Sequence, residues 1–211
     1  MPETALARLP DLIEPIITLQ CCRSSAIAVI TALEYLSIAE NTREETTPRP
    51  PQLSELRKQV SIAAELVISV LQHTEKGLER TFRLGLMDFP KENKLDLSAH
   101  AETIKIQLDR FHTLEDCSDH CERIINEWRY HLSSCGEYMR TVENFYEEEL
   151  HDFLPKDCHT PPSWFYPIKH MTDVNIAHVK RAEFSVKTAL SALSRLSTAI
   201  LQIKSRPEVS S

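Results

Sequence analysis

The chain has 211 residues, is 42% hydrophobic, carries 3 glycines against 12 prolines and has a formal net charge of −7. So little glycine excludes all-β folds and nucleotide-binding α/β folds, which need it at turns, bulges and phosphate loops. The acidity argues against the phosphate backbone of nucleic acid as the main partner, since such binding rests on clustered Lys and Arg.

What remains is an all-α chain. We predict an elongated up-and-down helical bundle of four to six helices, several about 30 residues long. Residues 1–204 are read as a single helical-bundle domain and residues 205–211 as a disordered tail.

The first predicted helix covers residues 12–39. It is apolar on nearly every side (Ile16, Ile17, Cys21, Ile27, Ile30, Leu33, Leu36), which places it at the centre of the bundle. Arg23 and Glu34 interrupt it, so no membrane span is expected where about twenty clean apolar residues are required. Residues 41–52, with their prolines, form a loop.

A second helix is predicted over residues 54–84. Leu56, Val60, Ala63, Val67, Val70, Thr74 and Gly77 recur at alternating four and three residues, the seam of a left-handed helix contact. Ile62, Leu66 and Leu78 are read as widening that stripe beyond a two-helix contact, toward a bundle of four or more. Helical pattern resumes after Ser98 and meets no proline before Pro155. A single rod of that length would reach about 85 Å, against a radius of gyration of about 17 Å for a domain of this size. A break is therefore expected, and the region of Thr113 is the better site. The seam Cys121, Ile125, Trp128, Leu132, Cys135, Met139, Val142 crosses Ser134 without a phase slip. Residues 155–167 are read as a loop. The last helix is predicted over residues 172–204, with Val179, Ala182, Val186, Ala189, Leu193, Leu196, Ile200 and Ile203 as its seam.

Charge is uneven along the chain. Residues 98–154 hold thirteen acids and five bases, whereas residues 169–211 hold seven bases and three acids. The two segments are read first as ordinary solvated helix faces, since exposed ion pairs are weak, and otherwise as faces that lie against each other or meet a charged partner.

Several residue groups invite a chemical reading. His112, Cys117, His120, Cys121, His131 and Cys135 have zinc-ligand chemistry. Cys117 with Cys121 and His131 with Cys135 are pairs four residues apart, and the helical stretch 122–130 keeps the two pairs roughly 15–20 Å apart, so no metal site is assigned. Glu148 and His151 match one ligand pair of a diiron bundle, which needs two such pairs and two further glutamates. Cys158 and His159 are adjacent, but sequence neighbours rarely aim at one another. No catalytic, cofactor-binding or metal residue is assigned. Pro48, Pro51, Thr47 and Thr160 are read as connection only.

Trp164, Phe165 and Tyr166 are the candidate partner contact if exposed, and a plug for one end of the bundle if buried. The functional expectation is a non-enzymatic bundle mediating protein–protein interaction, as adaptor, scaffold or regulatory subunit. Its partner is another protein or a second copy of the chain, with no cofactor. The alternatives are an apolar ligand or lipid held between Ala26, Ala28, Ala32, Ala63 and Ala64, or an enzyme of unrecognised type. An acidic N-terminus without a basic signal region, together with six cysteines read as reduced thiols, points to the cytoplasm or nucleus.

Overall fold

A computed structural model describes residues 3–42, 51–91, 97–110, 114–156 and 159–204, and among these there is no strand. The described residues form six α-helices in order: α1 (Glu3–Ala7), α2 (Ile13–Thr42), α3 (Pro51–Leu84), α4 (Leu97–Asp109), α5 (Leu114–Asn144) and α6 (Phe165–Lys204). A 3₁₀ turn at Leu9–Leu12 leads into α2, and a π-helical turn at Phe145–Leu150 closes α5. The expected all-α bundle is what forms.

Four helices make a ring. Each of α2, α3, α6 and α5 packs on the next, and α5 closes the circle on α2. Every neighbouring pair is antiparallel. Arg23 of α2 meets Glu75 of α3, and nearer the start of α2 Gln20 donates to the Pro90 carbonyl just beyond α3. Glu14 accepts from Tyr138, while farther along α2 the Ala32 carbonyl accepts from Cys121. The short α4 lies outside the ring against α2, where Tyr35 bonds Asp109 and Ile104 and Leu108 pack with Ala28, Ala32 and Leu36.

The seams supply the core. Val60, Ala63, Val67, Val70, Thr74 and Gly77 of α3 are buried, as are Cys121, Ile125, Trp128, Leu132, Cys135, Met139 and Val142 of α5. Val179, Ala182, Val186, Ala189, Leu193 and Leu196 of α6 complete the interior. At about 1.5–3 kcal/mol for each fully buried Leu, Ile or Val, these rows dominate the stability of the ring. Helix α4 ends at Asp109 and α5 begins at Leu114, on either side of Thr113, which itself lies outside the described residues, while α5 runs unbroken past Ser134.

Four expectations need correction. Ile62 and Leu66 are 55% and 42% exposed, because the second inward row of α3 is Ala64, Leu71 and Leu78. Helix α6 starts seven residues early, at Phe165, with Pro167 in its first turn, where a missing N–H costs nothing. Likewise α3 begins at Pro51 rather than Ser54. Finally, the stretch Leu9–Ile38 is long and apolar enough, by length and composition, to cross a membrane. In this fold its apolar surface is packed against α3, α4 and α5. That helix is not wholly enclosed, since Ile17 is 49% exposed and Cys21 is also exposed.

Candidate partner-binding surfaces

The α3–α6 contact is built around a buried polar chain. Asn175 Nδ2 donates to the Tyr146 hydroxyl at 3.2 Å, which lies 3.0 Å from Thr81 Oγ1. Thr81 spends its own proton on the Gly77 carbonyl at 3.0 Å, so the tyrosine hydroxyl must donate to Thr81. Burial raises the Tyr146 phenol well above its ordinary value, which keeps that proton in place. Gly77 lacks the side chain that Asn175 would strike, and this lets α3 and α6 close on each other. The chain fixes the register of the two helices. One step beyond, the His73 and His178 rings stack with centroids 5.1 Å apart. Burial first, then His73 and Arg181, lower the His178 pKa.

Farther along the same pair the outer surfaces diverge into a groove. One stretch is lined by Leu56, Gln59, Ser194, Arg195, Thr198 and Ala199, the next by Ile62, Ala63, Leu66, Lys187, Thr188 and Ala192. Gln59 and Arg195 belong to both, so the two stretches are continuous. The floor on the α6 side is made of small residues, while Ile62 and Leu66 stand up from α3. Phe184, 69% exposed, lies one heptad before Ser191, a residue of that lining. Ile62 and Leu66 were legible as apolar but not as exposed. The inward row 64, 71, 78 was the signal that would have set them outside.

The aromatic run divides. Phe165 is buried, as a plug requires, whereas Trp164 is 43% exposed and stacked on Phe153, and Tyr166 is 64% exposed. The three do not form one surface.

The residues with ligand chemistry are scattered. Cys121 donates to the Ala32 carbonyl at 3.5 Å, and Cys135 lies in the main core beside Cys22. Cys22 is held well above its ordinary pKa by a hydrogen bond to Cys135 and by burial. His120 bonds Arg123 at 2.7 Å, and His131 lies 3.9 Å from Glu127. Both histidines line a surface cleft between α2, α4 and α5 with the exposed Cys21. Among the described residues no group of three or more His, Cys, Asp or Glu could hold a metal ion. His112, Cys158, Thr47 and Pro48 lie outside the described residues, as do the side chains of Cys117 and Pro51. Glu148 is exposed on the π turn, and its neighbour His151 sits 3.8 Å from Asp173.

The acidic and basic segments meet in part. Lys180 of α6 reaches Glu147 at 2.6 Å and Glu143 at 3.6 Å, and Arg129 of α5 bonds Ser197. Of the alanines read as lining a pocket, Ala26, Ala32 and Ala64 are fully buried between helices, while Ala63 edges the α3–α6 groove and Ala28 the cleft between α2, α4 and α5.

No family model matches the chain, and no curated protein or solved structure matches it either.

Proposed function

We propose that the chain is a non-enzymatic helical bundle that works by binding another protein, and that the α3–α6 groove is its principal contact surface. The observation that carries this reading is the groove itself, where Ile62 and Leu66 stand exposed beside small side chains on the facing helix. Apolar side chains raised beside a groove are the usual receptor for an amphipathic helix. Trp164 and Tyr166 offer a second, smaller apolar contact at the end of the bundle. The reading includes a cytoplasmic or nuclear setting, supported by buried free thiols at Cys22 and Cys135.

The test is affinity capture from the native source with the wild-type chain and with an Ile62→Glu, Leu66→Glu variant, both checked for unchanged helicity. A protein recovered by the wild type and lost with the variant supports the reading. Equal recovery of every partner by the two chains refutes the groove as the contact.

A second reading, a bundle that holds a small ligand, has one observation in its favour. The cleft between α2, α4 and α5 gathers Ser24, Ser25, Gln107, His120 and Arg123, polar groups able to orient a bound molecule. Native mass spectrometry of the purified chain decides it, since a retained ligand displaced by His120→Ala would favour this cleft.

A further inference from the structure

The charge around the α3–α6 groove says what kind of helix fits it. Arg181, Thr188 and Arg195 are seven apart and share one face of α6, and Thr188 and Arg195 line the groove. Lys187 stands on the same wall, held at 2.6 Å from Glu183. On α3, Lys76 continues the row of Ile62 two heptads on. Arg181, Arg195 and Lys76 are exposed and form no salt bridge among the described residues. Within the lining the cations are Lys187 and Arg195 and the acid is Glu55, which accepts from Gln59 at 3.2 Å; beside the lining Arg181 and Lys76 add two cations against the acids Glu65 and Glu183, leaving a small basic excess. A chain with net charge −7 thus presents a locally basic rim around its exposed apolar groove.

The geometry points to an amphipathic helix with acidic flanks as the occupant, supplied by a different protein. This inference rests on the interaction reading above and adds the partner's chemistry to it. The lining from Gln52 to Leu66 on α3 extends about 21 Å, the length of a helix of roughly fourteen residues. Leucines on the inner face of that helix sit among Ile62, Leu66 and Ala192. Its carboxylates pair with Arg181 and Arg195 along the rim. Small side chains at Ser191, Ala192, Thr198 and Ala199 let its backbone come close. The apolar face supplies affinity, and the rim selects the sign of the flanks and speeds encounter.

The experiment titrates the full chain into two fluorescein-labelled helical peptides that share one leucine stripe, with glutamates on the flanks of one and lysines on the other. Fluorescence anisotropy is read alongside sedimentation of the chain alone. The acidic peptide is expected to bind about tenfold or more tightly than the basic one, from two or three rim pairs. That preference should shrink as salt is raised. Arg181→Glu with Arg195→Glu should reverse it, and Leu66→Glu should abolish binding of both; all three positions are exposed, so helicity serves as the folding control. Equal binding of the two peptides, or binding of neither by a monomeric chain, overturns the inference. Self-association abolished by Leu66→Glu also overturns it, by making a second copy the occupant, yet leaves the interaction reading standing.

Discussion

Replacing Gly77 with alanine separates helix propensity from helix–helix packing. An added Cβ at this position would lie 2.3 Å from Asn175 Oδ1 and 2.7 Å from Asn175 Cγ. Asn175 is buried and holds the Tyr146 hydroxyl, so it cannot turn aside without breaking that bond. Leaving a buried polar group unsatisfied costs about 1–3 kcal/mol, and forcing a methyl into a filled interface costs a further 1–3 kcal/mol or so. Removing a helix-interior glycine returns about 1 kcal/mol. The net expectation is a loss of roughly 3 kcal/mol.

Gly136 is the internal control, since its added Cβ would meet only Val186 Cγ1 at 3.7 Å, an ordinary contact. Gly136→Ala should therefore stabilise by about 0.5–1 kcal/mol. Urea unfolding followed by circular dichroism measures both variants. In the Gly77→Ala background, Asn175→Ala should cost less than it does alone, because the collision has gone. A Gly77→Ala chain as stable as the wild type would refute the register that packs Gly77 against Asn175.

Helix α3 ends with Leu86 in the left-handed region, at φ 56°, and 94% exposed. The amide of Met87 bonds the Phe82 carbonyl at 3.0 Å and that of Leu86 bonds Arg83 at 3.1 Å, a Schellman cap in which glycine is the favoured residue. Leu86→Gly should raise stability by about 1 kcal/mol, read as a higher urea midpoint, and a lower midpoint would contradict the cap. Tyr146→Phe leaves Asn175 Nδ2 without its acceptor and should cost about 1–3 kcal/mol in the same assay; a neutral result would mean the polar chain does not form. His178 and His120 both have pKa values lowered from 6.5, mainly by burial, so the unfolded chain takes up protons first. The contribution of these two histidines to stability is then fully present above about pH 6.5 and is lost as pH falls below it. His178→Gln should flatten the decline measured between pH 7 and 5, and an unchanged slope would remove His178 from the cause.

The seams were legible because α3, α5 and α6 repeat buried positions at three and four residues, and that spacing has only one structural meaning. Their width was not. Ile62 and Leu66 differ from Val60 and Ala63 in where the neighbouring helix lies, a fact of tertiary packing that apolar character does not encode. The start of α6 was hidden by prolines that read as loop but are harmless in a first turn. The π-helical turn at Phe145–Leu150 adds a residue to the helical repeat, which turns both Phe145 and Tyr146 inward. No residue type announces such a turn, and with it the Tyr146–Thr81–Asn175 chain stayed out of reach. The groove was missed for the same reason. Its lining of Gln, Ser, Thr, Ala and Arg looks like any solvated helix face until two helices are set side by side.

Methyl NMR of the isoleucine, leucine and alanine side chains, with the acidic amphipathic peptide added stepwise, tests the partner surface most directly. The account predicts that Ile62, Leu66, Ala192 and Ala199 shift first and saturate together, while Ile13 and Ile17 on the far helix stay in place. Shifts centred on α2, or spread evenly through the interior, would contradict a docking site between α3 and α6.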